Sequence, residues 1–266
     1  MKHKIEINYE DRIVCFLDIL GFKNHILSSI NFDGSDCTKK IEDLAEAFSE
    51  IRDILDIDRP EERVEKEVTQ FSDSIVISFK ATKESEVYYT LLDILWVQIS
   101  LVQRGILCRG SVARGKLIHT PQLLFGPAMV EAYTLESEVA MYPRIILGKA
   151  IIQAGIEAHA RHHLPHHEAH SILNLVKKDS DGMYYINYVT GAQPELDDPE
   201  LDYPNYLFRL RKIISSGSDS KTPSIAIKYS WLKEKLEPHL TQIKQHIRTK
   251  PIDDEIREAY ESIPDF

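Results

Sequence analysis

Asp18 and Asp73 each interrupt an apolar strand pattern, the first in I-V-C-F-L-D-I-L-G-F (residues 13 to 22), the second in V-T-Q-F-S-D-S-I-V-I-S (residues 68 to 78). Burying an unpaired carboxylate costs about 2 kcal/mol or more even on lenient scales, so each position calls for a cation close by. Two such groups brought side by side by strand pairing are what a pair of divalent cations on a nucleoside triphosphate requires. The plainer alternatives stand beside this reading: Asp18 capping the turn before a helix, and Asp73 at a hairpin tip, where Ser-Asp-Ser is ordinary turn chemistry. Gly21-Phe22 follows the first aspartate and opens a helix, so the backbone N–H groups from Leu20 to Lys23 could cradle a triphosphate, or Gly21 could be a plain turn residue.

The elements that must position these groups follow from periodicity. Residues 12 to 20 read as a buried strand; Ile41, Leu44, Ala45, Phe48, Ile51, Ile54 and Leu55 recur at helical spacing, predicting a helix from Thr38 to Leu55. A hairpin is expected over residues 66 to 80, and a helix from about Lys83 to Arg104 with Glu84 and Glu86 in its first turn, where acidic residues suit the helix dipole. Ile106 to Arg114 reads as the next strand, with Gly115 and residues 116 to 119 turning into another. Leu123-Leu124-Phe125-Gly126-Pro127 reads as a break before a helix that would bury Met129, Ala132, Tyr133 and Leu135, and Arg144 to Leu147 reads as a strand. The resulting β-α-α-β-β-α-β-β-α-β order fits an α+β sheet with helices packed on one face. Residues 157 to 266 change character: a His-rich connector, a strand over Met183 to Val189 after a turn at Asp179 to Gly182, an acidic Pro-bearing loop from Gly191 to Asn205, and helices from Tyr206 to Ile214 and from Ser224 to about Arg248. The division expected is therefore 1–156 and a C-terminal α/β extension, 157–266, packed on it.

Composition narrows the function classes. At 266 residues and 43% hydrophobic content the chain can bury a full core without disulfides or a structural metal. Cys15, Cys37 and Cys108 show no CxxC spacing, which with the absence of a leader pattern predicts a reducing, cytoplasmic setting. The most apolar stretch, Val87 to Val102, is interrupted by Asp93 and Gln98, so no membrane partner is expected. A net charge of −10 argues against an extended nucleic-acid surface, while a small anionic ligand stays compatible if metal ions neutralise it locally.

Four blocks in register, F-L-D-I-L-G-F (16 to 22), F-S-D-S (71 to 74), R-G-S-V-A-R-G (109 to 115) and G-P-A-M-V-E-A-Y-T-L-E (126 to 136), resemble class III nucleotidyl cyclases over residues 12 to 150. The resemblance implies the ferredoxin-like cyclase sheet and a homodimer with each site at the interface. It further implies two Mn²⁺ or Mg²⁺ ions per site, bridged by Asp18 and Asp73 with the Ile19 carbonyl completing one shell. Arg109 falls where the family binds phosphate; its alternative is an ion-paired strand end. Arg144 could reach the nucleotide or simply end its strand.

Departures from the family pattern bear on substrate. Its phosphate-stabilising Asn and Arg correspond to Val130 and Thr134, its purine-reading Lys to Thr69, and that lysine's acidic partner to Leu123. Thr69 is thus a candidate base-reading residue, or a packed strand Thr. The pattern is closer to the divergent branch of pyrimidine cyclases in Pycsar anti-phage defence, implying conversion of UTP or CTP to a cyclic monophosphate that triggers a separate effector, with uridylate favoured. A purine cyclase and an inactive nucleotide-binding regulatory module are the rival readings. His159, His162, His163, His166, His167 and His170 include i, i+4 pairs, but Pro165 interrupts the presumed helix and no Glu or Cys completes a zinc pattern; a solvated, partly helical connector is expected.

Overall fold

The computed structural model describes residues 8–57, 66–81, 85–157, 165–249 and 251–266, with only the backbone for 165–168. Two compact units divide the chain, Met1–Val97 with Cys108–Ile186, and Gln98–Leu107 with Asn187–Phe266. The break in the tail therefore falls at Asn187, thirty residues beyond the position where composition changes, because the strands that follow the His-rich segment join the sheet.

The first unit is a mixed α/β structure built, among the described residues, on an eight-stranded sheet. Its strands are β1 (Glu10–Ile19), β2 (Lys66–Phe71), β3 (Ser74–Lys80), β4 (Cys108–Thr120), β5 (Leu123–Phe125), β6 (Ile145–Leu147), β7 (Val176–Lys178) and β8 (Tyr184–Ile186). They lie in the order β2-β3-β1-β4-β6-β8-β7, with β5 paired to β4. β4 and β6 are parallel and the other pairings antiparallel. β1 is central, and its unbroken buried run from Arg12 to Leu17 reflects cover on both faces. Helices α1 (Phe22–Ser28) and α2 (Thr38–Ile54) follow β1; α3 (Glu86–Gln103) follows β3. Asp93 of α3 pairs with Lys66 of β2 at 2.8 Å, on the face where Phe79 also points. The opposite face carries Val14, Phe16, Val76, Ala113 and Leu117, and packs against α4 (Pro127–Thr134) through Ala128 and Ala132. Helices α5 (Lys149–Glu157) and α6 (Pro165–Leu175) complete the unit.

Several expectations are corrected. Gly115 does not turn the chain: β4 runs through it in register with Arg12, and it faces Ala128, whose Cβ lies 3.6 Å from a Cβ built on Gly115, an ordinary van der Waals contact. Residues 123–125 form β5 rather than a break. Helix α4 buries Ala128 and Ala132 and leaves Tyr133 exposed, since small side chains rather than large ones permit its close approach to β4. Pro165 begins α6 instead of interrupting it, as a residue without an N–H can at a helix start. His159, His162 and His163 lie outside the described residues, as do the side chains of His166 and His167; His170 is exposed.

The second unit is helical: the C-terminal end of α3, then α7 (Asp202–Ser218), α8 (Pro223–Thr249) and α9 (Asp254–Glu261). Leu207, Leu210, Ile214, Leu232, Leu236 and Leu240 form buried i, i+3/i+4 stripes. α7 starts four residues earlier than expected because Pro204 sits in its first turn. α9, not anticipated, is capped by the Asp253 carboxylate, which accepts the Glu255 N–H at 2.9 Å. No described helix is long and apolar enough to cross a membrane.

Candidate active site

Strand register assembles the first cluster. Asp18, one residue from the end of β1, lies between Ser74 on β3 and Arg109 on β4, and partners in antiparallel strands point to the same face. Asp73 occupies the tip of the β2–β3 hairpin, where Ser72 takes a left-handed φ of 58°, and the Ile19 N–H donates to the Asp73 carbonyl at 2.9 Å. That bond brings the two aspartate-bearing segments together, as the sequence pattern requires. Gly21 then adopts a left-handed conformation, φ 74°, turning the chain into α1, and Phe22 packs edge-on against Phe48 at 6.3 Å.

The cation called for beside Asp18 is Arg109. Its Nε donates to the Asp18 carboxylate at 3.1 Å and lies 2.7 Å from Oε1 of Glu136, a residue only 3% exposed. Glu136 was not singled out in the sequence, yet it continues the series Ala128, Ala132, Glu136 at four-residue spacing on the sheet-facing side of α4. The register against β4 is regular: Ala128 meets Gly115, the Ser111 hydroxyl donates to the Ala132 carbonyl at 2.6 Å, and Arg109 meets Glu136. Beyond Thr134 the helix widens into a π turn, Leu135–Val139, closed by an Ala140 N–H bond to the Leu135 carbonyl at 2.9 Å. Such turns concentrate at functional sites.

A second polar cluster lies on the same sheet face. Arg12, itself buried, donates through Nε to the Ser78 hydroxyl at 2.9 Å; Ser78 lies 2.8 Å from His119 Nδ1, and His119 Nε2 lies 2.9 Å from the Thr69 hydroxyl. Burial and the Arg12 charge push the His119 pKa down to about 4, so the ring is neutral near pH 7. Thr69 is therefore half-buried and hydrogen-bonded, not simply packed.

Arg144 is placed differently. Its side chain is fully buried, paired with Asp179 and Asp181 between β7 and β8, and stacked near the Tyr142 and Tyr185 rings at 5.0 and 5.8 Å. Its guanidinium braces that hairpin. Val130 and Thr134 are both exposed on α4, and Leu123 is exposed on β5.

Two carboxylates, Asp18 and Glu136, on the Arg109 guanidinium leave an excess of negative charge at this end of the sheet, where the Asp73 segment is joined through its backbone carbonyl. Among the described residues no three His, Cys, Asp or Glu side chains converge as a ready-made metal cage. A Mg²⁺ or Mn²⁺ ion on a nucleotide needs only one or two carboxylates, the phosphates and water supplying the rest, so Asp18 and Asp73 fit such an ion. Arg109 already shows that Asp18 accepts a cation.

No family profile and no curated protein matches the chain. Solved structures do resemble it. The adenylyl cyclase CyaB from P. aeruginosa is similar over 67% of this chain and 94% of that one, at 12% identity and a TM-score of 0.44. The catalytic core of a rhodopsin-guanylyl cyclase with converted specificity, in complex with ATPαS, is similar over 68% and 96%, at 16% identity and 0.43. A class III adenylyl cyclase-like ATP-binding protein from Pseudomonas aeruginosa is similar over 95% of this chain but 43% of its own length, at 13% identity and 0.42. Since one fold hosts many chemistries, the functional reading is built on the residues.

Proposed function

We propose that the chain is a metal-dependent nucleotidyl cyclase acting on a pyrimidine nucleoside triphosphate, UTP or CTP. The ribose 3′ oxygen would attack the α-phosphorus of its own molecule. A Pα–O3′ bond forms, the Pα–O bond to the β-phosphate breaks, pyrophosphate leaves with that electron pair, and the 3′ hydroxyl proton passes to water. The observation that carries this reading is Asp18 on the central strand, bonded to Arg109 and joined through the Ile19 N–H to the segment bearing Asp73.

Asp18, Asp73 and the Ile19 carbonyl would hold the divalent cations, Mn²⁺ or Mg²⁺. When bound, these supply charge neutralisation at the phosphates and acidification of the 3′ hydroxyl. Arg109, within reach of Asp18 yet partly open to solvent, would turn to the phosphates while Glu136 keeps it at this end of the sheet. Gly21 and Phe22 would seat the triphosphate, and Thr69 would meet the base. A homodimer is the expected assembly: Phe71, Val130 and Tyr133 expose large apolar surface along the hairpin and α4, which a second copy would cover. In this reading the product is a second messenger that activates a separate effector in defence against phage, and the setting is cytoplasmic.

The test is incubation of the purified protein with each of the four nucleoside triphosphates and Mn²⁺. Cyclic UMP or cyclic CMP is expected. Cyclic AMP or cyclic GMP instead would move the protein to the purine reading, against which Thr69 and Leu123 stand where a lysine and its acidic partner would be required. Binding without turnover would establish the regulatory-module reading, for which the exposed Val130 and Thr134 are the motivating substitutions.

A further inference from the structure

Arg109 reaches two carboxylates through one nitrogen. Its Nε carries a single hydrogen, which Asp18 Oδ2 accepts at 3.1 Å, while Glu136 Oε1 stands 2.7 Å from the same atom. An arginine committed to one carboxylate commonly grips it with a fork, as Arg114 does Asp11 through Nε and Nη2 at 3.2 and 2.8 Å. Arg109 is instead divided between two anions, and the two differ in access. The Asp18 side chain is 19% exposed and that of Arg109 26%, so a solvated ion can approach Asp18. Glu136 is buried, in the π turn that continues α4, and α4 is held against β4 by Ala128 and by the bond from the Ser111 hydroxyl to the Ala132 carbonyl. A buried carboxylate stripped of its cation is costly, whereas a partly open one can take a replacement from solvent. The Glu136–Arg109 pair is therefore the fixed contact, and Asp18–Arg109 the exchangeable one.

We propose that Arg109 is an internal stand-in for the metal on Asp18 and that Glu136 is the positioning residue of this exchange: a divalent cation displaces the guanidinium from Asp18, and Glu136 keeps the displaced arginine at this end of the sheet. This rests on the reading above in which Asp18 ligates the cation. With no nucleotide bound, the cation must compete with Arg109 for Asp18, and its affinity is held down. A triphosphate offers the guanidinium another anion and relieves that competition. Metal and nucleotide then strengthen each other's binding by the same factor, as linkage requires, so the site favours the metal–nucleotide complex over either part alone. Glu136 sets the balance, because without it the guanidinium rests on Asp18 alone.

The experiment titrates the full chain with Mn²⁺ alone, without nucleotide, and follows the loss of the free-ion electron paramagnetic resonance signal; Asp18→Asn marks which binding belongs to Asp18. The decisive variant is the double substitution Arg109→Gln with Glu136→Gln. It keeps the cluster of Asp18, Arg109 and Glu136 at one net negative charge, so a change in affinity reports competition rather than charge. It is expected to bind Mn²⁺ at least about tenfold more tightly, the scale of one charge-assisted hydrogen bond no longer in competition. Glu136→Gln alone, which leaves Arg109 to Asp18, is expected to weaken Asp18-dependent binding by about tenfold. A merely structural Arg109–Glu136 pair would lower the melting temperature of the variants and leave the double variant with the wild-type affinity; that result overturns the proposal while the metal site stands. Wild-type affinity in Glu136→Gln overturns the role given to Glu136. If no variant binds Mn²⁺ through Asp18, this proposal and the reading beneath it both fail. The expected order of affinities without cyclic product from any nucleoside triphosphate would support the exchange and refute cyclase activity.

Discussion

At one end of the site face Asp18 and Glu136 converge on Arg109, with both Asp18 and Arg109 partly open to solvent; at the other, buried Arg12, Ser78 and His119 and half-buried Thr69 are linked by hydrogen bonds. The first end carries more negative than positive charge and is suited to exchanging one cation for another. The second is a neutral-ring network in which each named donor has an acceptor, suited to holding a single arrangement. Under the proposed function, chemistry that moves charge belongs at the first.

The largest break in that contrast comes from removing the exchangeable end. Asp18→Ala or Asp73→Ala is expected to lower turnover at least about 1,000-fold, the scale on which a principal electrostatic stabiliser acts, with far-ultraviolet circular dichroism and oligomeric state unchanged. Loss of folding in both variants would count against a catalytic role.

Acid should undo the neutral end next. The folded His119 pKa, about 4, lies below its ordinary value of 6.5, so the unfolded chain takes up this proton first. Stability from this residue is complete above about pH 6.5 and is lost as pH falls toward 4, by up to about 3 kcal/mol. Urea titrations across that range should show the fall, and His119→Gln should flatten it; an unchanged slope in the variant would refute the assignment.

Smaller effects sharpen the comparison. Arg109→Ala is expected to raise KM for the triphosphate by about tenfold, the worth of roughly one charge-assisted contact, with a lesser effect on kcat. If neither constant changes in steady-state assays, Arg109 is only an ion-paired strand end. As a control, the Arg114–Asp11 pair, 2.8 Å apart but exposed, should contribute less than about 1 kcal/mol, measurable in a double-mutant cycle.

The elements that carry the exchangeable end were legible because apolar strands with one misplaced carboxylate have few physical explanations. Ile13 to Leu17 required a central strand, and β1 is one. The hairpin at residues 66–80 and the helix from Thr38 were equally plain from period alone. The partners were not. Glu136 lay hidden because hydrophobicity weights Met129, Tyr133 and Leu135, whereas the helix buries its smallest face to come close to β4. His119 and Ser78 are separated by 41 residues and meet only through sheet geometry. Arg144 read as a strand end in preference to a ligand contact, and nothing local marks Asp179 and Asp181 as its partners.

The stripe of small residues along α4 sets a tolerance as well as a contact. With Gly115 facing Ala128, and the Ala132 carbonyl held by Ser111, the spacing between helix and strand is gauged by two methyl groups and a hydrogen. Glu136 rides on that gauge one turn further along. Enlarging Ala128 or Ala132 would lift the helix like a shim under a lever, and the displacement would be felt at Arg109. These two alanines are buried against the sheet, yet the alignment of the charged end is machined by them.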